Sequence, residues 1–301
     1  VTLTTQEFDA LYDEVAQWDD ASDRGTLRYL TAERVVAAAR LVRSGLSVSL
    51  SLPMATDFRP DCPTPAEHRM TSLGGDDDIV VQFVKDYIGT DFHNEGHTHL
   101  DALCHVSYRG KFYGGVPDTS ATEDGASVGD IAHLSSGIVG RGVLLDIPRL
   151  RGVPWLEPGD QVLPGELTAA LKAQSVGLQP GDILLVRTGH TRRLAELGPW
   201  DTTKAKAGLH PTVVEILTDH QVTALGCDTN SDAAPSPVNE VSFPVHVLTV
   251  NAMGLFLLDY LQLDDLSEAC ERLGRWEFLC VVAPLRVPGG TGSPVNPIAV
   301  L

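Results

Sequence analysis

The chain has 301 residues, 43% of them hydrophobic and 21% charged, with a formal net charge of −18, a composition ordinary for a globular protein of one large or two small domains. Such acidity repels nucleic-acid phosphates and anionic lipid head groups, so neither is expected as a partner. The nearest approach to an apolar span, Pro244 to Leu258, is interrupted by His246, Thr249 and Asn251 and reads as a buried segment.

The opening residues, Val1 to Glu7, have neither a basic start nor an apolar stretch, so no signal peptide is expected and the cytoplasm is the expected location. Thr4-Thr-Gln-Glu7 has the form of a capping box, and Phe8, Leu11, Tyr12 and Val15 fall on one face of the helix it starts. A second helix is predicted from Thr31 to Arg43, with Gly45 just past its end. Residues 1–45 therefore read as a helical arm, and 46–301 as the main domain.

Beyond the arm the period changes to two. Ser47 to Leu52 alternates as a half-buried strand does, and a further strand is predicted over Ile79 to Val84. Gly142 to Ile147 and Asp182 to Arg187 are short apolar runs, as buried strands are. Helices are predicted over Leu167 to Ala173 and over Pro211 to His220, with Pro211 at a first-turn position. Val222 to Cys227 is a strand, Asp264 to Leu273 a helix and Trp276 to Ala283 a strand. Strands and helices alternate, so the class is α/β, and no linker divides the domain. Long loops over 56–76, 108–130 and 228–244, rich in Pro, Gly, Asp and Ser, are where function is expected.

Four of the ten histidines, His93, His97, His99 and His105, lie within thirteen residues, together with Asp91, Glu95 and Asp101. If this stretch is extended, Glu95, His97, His99 and Asp101 share one face, each step of two advancing roughly 6.6 Å. Side chains such as His99 and Asp101 can then converge on one ion about 2.0–2.2 Å from each ligand atom. If the chain turns helical near Asp101, His105 sits one turn on, beside the same site. A divalent cation there lowers the pKa of water from about 15.7 to about 7 and polarises a carbonyl. His105, with a reference pKa of about 6.5, is the candidate to take and return the proton. The plainer role for His93 is that of a polar loop residue, and for Glu95 that of a solvated carboxylate.

Other features have blander readings. The five cysteines, Cys62, Cys104, Cys227, Cys270 and Cys280, are irregularly spaced with no CxxC pair, and are expected to be free, buried thiols. Gly125-Ala-Ser127-Val-Gly129 satisfies a serine-hydrolase pattern, but the polar stretch before it lacks the strand that a nucleophile elbow needs. Arg187 can contact a substrate anion, although a structural salt bridge is its usual role. Phe58, Phe92, Phe112, Tyr113 and Trp200 are candidate pocket walls, with core packing as the default.

Thr98-His99-Leu100-Asp101-Ala102-Leu103-Cys104-His105 resembles the signature of the cyclase family that includes bacterial kynurenine formamidases and isatin hydrolases. That signature is His-x-Gly-Thr-His-x-Asp, with a further His four residues on. Arg141 to Asp146, Pro180 to Gly189, Leu225 to Asp228 and Gly292 to Val300 resemble further family blocks in the family's order. The resemblance implies a compact α/β single domain with a barrel-like mixed β core flanked by helices, assembled as a homodimer or homotetramer. It implies that His99 and Asp101 are metal ligands and that His105 acts in proton transfer. His246 matches a downstream histidine of the same site, and Asp259 falls where the family carries a glutamate. The family's first histidine ligand aligns with Glu95 and the motif glycine with His97, so either residue is the candidate third ligand.

The expectation is thus a hydrolase of a cyclic amide, lactone or N-formyl or N-acyl small molecule, with Mn²⁺ or Zn²⁺ as cofactor. A carboxylate-rich ligand set shifts preference modestly towards manganese. Metal-dependent cyclisation or dehydration uses the same groups, and a non-catalytic ligand-binding relative is the alternative outside enzymology.

Overall fold

The computed structural model describes residues 2–18, 22, 24–75 and 80–301. Its centre is a nine-stranded mixed sheet that curls into a half barrel. The strands, in chain order, are β1 (Ser47–Ser49), β4 (His99–Asp101), β5 (Ile138–Asp146), β6 (Ile183–Arg187), β7 (Ala224–Cys227), β8 (Phe256–Asp259), β9 (Glu277–Val282), β10 (Gly292–Pro294) and β11 (Ile298–Val300). They lie side by side as β1-β11-β9-β5-β6-β7-β8-β4-β10. The four central strands β5, β6, β7 and β8 run parallel, and the neighbours on both flanks are antiparallel. Every residue of β6, β7 and β8 is buried, which is why these segments read as unbroken apolar runs rather than alternating ones. Outside the sheet, β2 (Glu67–Ser72) and β3 (Lys85–Gly89) form a two-stranded ribbon with no buried residue.

Helices pack around the sheet. They are α1 (Thr5–Val15), α2 (Ala32–Ala39), α3 (Ile147–Arg151), α4 (Pro164–Ala173), α5 (His190–Leu197), α6 (Val214–Asp219), α7 (Pro244–His246) and α8 (Asp264–Leu273). The capping box of α1 is formed: the Glu7 backbone N–H donates to Thr4 Oγ1 at 3.2 Å, and the Thr4 backbone N–H to Glu7 Oε2 at 2.8 Å. Its apolar face, Phe8, Leu11, Tyr12 and Val15, is buried in the core. Past α7 the chain continues as a π-helix over Val247–Met253, all buried. Among the described residues no helix is long and apolar enough to cross a membrane.

Several boundaries differ from the sequence reading. The strand predicted over 79–84 is displaced to β3, Lys85–Gly89: residues 80–84 are not strand, and Ile79 lies outside the described residues. The apolar run that prompted that prediction is exposed, with Val81 65% and Phe83 68% accessible. The second helix ends at Ala39 rather than Arg43. The predicted loop 56–76 contains β2. Helix α4 starts three residues earlier than expected, because Pro164 takes its first position and Glu166 caps the Leu163 N–H at 3.0 Å.

All five cysteines are free and buried. Ser127 is exposed and its Oγ donates to the Ser120 carbonyl at 3.1 Å; only the two-residue strand Gly125–Ala126 precedes it, so the elbow context is missing. Arg187 is structural: its guanidinium lies 3.0 Å from Asp146 and 2.7 Å from Asp264, tying β6 to the ends of β5 and α8.

Candidate metal centre

The site is built at the junction of β4 and β8. These strands are antiparallel, and their register sets His99 directly opposite Asp259 and Leu100 opposite Leu258. Opposed side chains on one face have Cβ atoms about 4.5–5.5 Å apart. His99 and Asp101 share that face, while Leu100 between them is fully buried in the core. His99 Nε2 lies 3.6 Å from Asp101 Oδ1 and 3.8 Å from Asp259 Oδ2. Its other ring nitrogen, Nδ1, is 2.8 Å from the His97 carbonyl oxygen. That hydrogen bond places the proton on Nδ1 and leaves the Nε2 lone pair facing the acids.

Immediately after β4 the chain makes a tight turn, not a helix, closed by the His105 N–H on the Ala102 carbonyl at 2.9 Å. The turn returns His105 Nε2 to 3.9 Å from Asp101 Oδ1. His93 enters from the preceding loop. Its Nδ1 is 3.1 Å from the same oxygen, and its ring stacks on that of His105 with centroids 3.8 Å apart and planes 4° from parallel. Gly292 on β10 makes room for it: a Cβ there would stand 2.8 Å from His93 Cε1 and 2.6 Å from the Leu100 carbonyl oxygen.

From the far side of the cavity, α7 supplies His246. Its Nε2 is 3.3 Å from Asp259 Oδ2 and 3.6 Å from Asp101 Oδ2. Asp232 fixes it from behind, accepting from His246 Nδ1 at 2.6 Å and from the backbone N–H groups of Val245 at 2.7 Å and His246 at 3.1 Å. One carboxylate thus caps the start of α7 and orients its histidine.

Charge in the cluster follows from this packing. Burial favours a neutral Asp101, but His105, His93, His99 and His246 around it hold the carboxyl well below the usual range. Burial pushes the His105 imidazole down to about 4 against the pull of Asp101. For His246, burial is outweighed by Asp259 and Asp232, and its pKa stands well above the usual value.

The donor set fits a divalent cation. Ligand atoms of His93, Asp101 and His105 lie within 4.8 Å of one another, as do those of His99, Asp101 and Asp259, and Asp101 is common to both sets. Both Asp101 oxygens, Asp259 Oδ1 and His93 Nδ1 are buried and make no hydrogen bond, a costly arrangement for bare protein. Ligands about 2.0–2.2 Å from one ion stand about 3–3.6 Å from each other, close to the separations found.

Sequence reasoning and structure part at three residues. Residues 94–97 are a turn, in which Asn94 Oδ1 accepts from the Gly96 N–H at 2.8 Å, so the strand parity invoked for Glu95 and His97 ends at His99. His97 is 1% exposed and belongs to neither ligand set. Glu95 lines the cavity but also stands outside both sets. His93, read from sequence as a plain loop residue, belongs to one of the sets. Asp232 was missed as well, since nothing local in the loop 228–244 links it to His246.

The cavity in front of the cluster measures about 560 Å³ and is lined by His93, Glu95, His99, His105, Tyr108, Asn230, Phe243, His246, Asp259 and Tyr260, among others. Of the predicted wall residues, Phe92 packs beside the rings of His93 and His99 at 4.5 and 6.3 Å. Phe112 and Tyr113 line a separate small cavity, Trp200 packs on His190, and Phe58 is 72% exposed.

The Cyclase family model matches residues 48–234. The chain belongs to the cyclase family. A crystal structure described as a novel cyclase is similar to this cyclase-family protein at 30% identity, covering 96% of this chain and 99% of the other with a TM-score of 0.88. An isatin hydrolase bound to the product analogue thioisatinate is 20% identical, covering 90% and 99% of the two chains, with a TM-score of 0.62. A predicted metal-dependent hydrolase from Bacillus stearothermophilus is 17% identical over 84% and 97%, with a TM-score of 0.55. The last two likenesses establish a shared fold. No curated protein sequence matches the chain.

Proposed function

We propose that this cyclase-family protein is a metal-dependent hydrolase of a cyclic amide, lactone, or N-formyl or N-acyl small molecule. The observation that carries the reading is Asp101: a buried carboxylate, neither oxygen hydrogen-bonded, with four imidazoles and Asp259 gathered round it. His99, Asp101 and Asp259, with His246 and His93 beside them, would hold Mn²⁺ or Zn²⁺. A cation of this kind, when bound, supplies a Lewis acid that polarises a carbonyl and makes water acidic near neutral pH.

The chain's own groups do the rest. His105 is half-exposed to the cavity and, with its lowered pKa, neutral at physiological pH, so its imidazole can accept a proton from the attacking water. It then returns that proton to the leaving nitrogen or oxygen. The stacked ring of His93 keeps His105 in place during the transfer. Tyr108 and Phe243 give the cavity an apolar wall suited to a flat, small substrate. The fold is shared with a protein described as an isatin hydrolase, and isatin, a cyclic amide, falls within the proposed substrate class.

The test combines metal analysis of the purified protein with a panel of isatin, lactones and N-formyl anilines, assayed before and after chelation. Turnover that survives complete removal of metal would sink the proposal. Protein that binds metal yet turns over none of the panel would leave a binding role in its place.

A further inference from the structure

The ribbon of β2 and β3 stands clear of the core. Among the described residues its two strands form a ladder only with each other, and none of their residues is buried. A lone two-stranded ribbon is marginal in water and ordinarily needs a surface to lie on. This one is also apolar. Met70, Tyr87 and Ile88 are exposed on the strands. The two arms stay side by side beyond the ladder: Ser72 Oγ donates to the Phe83 carbonyl at 2.9 Å, and a Cβ on Gly74 would stand 3.1 Å from the Gln82 side-chain oxygen. There Val80 is 99% and Leu73 74% accessible, and Val81, Phe83 and Val84 are open as well.

The size of this surface decides what it is for. An aromatic residue offers about 150–250 Å² and an aliphatic one somewhat less, so at these accessibilities the eight present roughly 900 Å². The largest apolar patch on a typical monomer is about 300–600 Å². Each side of a standard protein interface covers about 800 Å². The ribbon is therefore large enough to form a stable contact by itself.

Charge selects the occupant. On a chain of net charge −18, the two strands carry two acids and two bases, Glu67 and Asp86 against Arg69 and Lys85. Glu67 pairs with Arg69 at 3.0 Å, and the Arg69 guanidinium lies over the Tyr87 ring at 4.6 Å. A neutral strand pair of this kind meets its own copy without setting like charges together, whereas anionic lipid is repelled by the acidic surface around it. Strand β2 is also complementary to itself. Two copies of it, run antiparallel about a two-fold axis at His68, set Glu67 of each against Arg69 of the other. The outer edge needed for that pairing has no ladder partner among the described residues. We infer that the ribbon is the contact through which two copies of this chain associate, each covering the apolar arms of the other.

Sedimentation velocity of the full chain over a concentration series tests the inference. Wild type is expected to sediment as a dimer or larger, and to associate more tightly as salt screens the −18 on each copy. The double variant Val81→Asp/Phe83→Asp should be monomeric with an unchanged circular dichroism spectrum, since neither side chain is buried in its own chain. Val36→Asp, at an exposed position on α2, should stay associated. A monomeric wild type overturns the inference, and so does an assembly that survives the double variant. Dissociation of Val36→Asp and the double variant alike also overturns it, because added charge anywhere would then suffice. A monomer that binds neutral phosphatidylcholine vesicles, and loses them in the double variant, would give the surface to lipid instead. Should the double variant not fold, amide hydrogen exchange of the wild type decides. Protection of β2 and β3 is expected to rise with protein concentration, and protection that stays constant overturns the contact.

Discussion

Asp232 grips His246 through two hydrogen bonds, the shorter 2.6 Å to the imidazole Nδ1, and holds the Val245 N–H by a third, and so aims Nε2 of His246 at Asp101 and Asp259. Removing such a partner typically costs 10–100-fold in metal affinity. Asp232→Ala should therefore weaken Zn²⁺ or Mn²⁺ binding by about that factor. It should also destabilise the fold, since two backbone N–H groups at the start of α7 lose their acceptor. Competition with a chromophoric chelator measures the first effect and thermal melting of the metal-free protein the second; unchanged affinity would show that Asp232 serves α7 alone.

His99 and His105 both face Asp101, yet opposite phenotypes are expected. His99→Ala removes a ring set between Asp101 and Asp259 and should lose metal and turnover together. His105→Ala should keep its metal while turnover falls on the order of 10²–10⁴-fold. Elemental analysis beside a rate measurement separates the two, and full turnover by His105→Ala would remove it as the proton carrier.

Asn251, inside the π-helix, ties three parts of the molecule together. Its Nδ2 donates to the carbonyls of Val106 at 2.9 Å and Lys111 at 2.7 Å, and its Oδ1 accepts from Tyr12 Oη at 2.7 Å. Val106 follows His105, so this amide joins the leading helix to the segment of the proton carrier, beside the direct contact of Tyr108 Oη with Asp9 at 3.2 Å. Asn251→Leu leaves these groups without partners, at about 1–3 kcal/mol each if they stay dry. A marked fall in melting temperature is expected, together with a larger loss of kcat than of metal content. A variant as stable and active as wild type would rule out the connection.

His190 predicts an acid-sensitive fold. Burial drives its pKa from 6.5 down to about 3. The unfolded chain then binds the extra proton between these values, so stability rises with pH across that window and is lost as pH falls below about 6.5. By about pH 4.5 the loss reaches roughly 2–3 kcal/mol. His190→Phe should remove that part of the dependence, and denaturant titrations of both proteins at neutral and acid pH would show it. Parallel losses in the two proteins would mean that His190 contributes nothing.

The long periodic segments were legible without coordinates. The capping box and apolar stripe of α1, the buried runs of β6 and β7, and α8 follow from local rules that packing did not override. So did the pairing of His99 with Asp101, because residues two apart on any strand share a face. The placement of His246 and Asp259 came from family resemblance, since spacing cannot reach across so much chain.

What tertiary structure decided was membership and orientation at the centre. The turn at 94–97 breaks the alternation that would have aligned Glu95 and His97 with His99, and the same turn brings in His93. The pairing of β4 with β8 sets Asp259 against His99, and the packing of α7 sets Asp232 behind His246. Local pattern fixes which face a side chain takes within its own element; which elements meet is settled by burying the sheet, and the chemistry here sits where they meet.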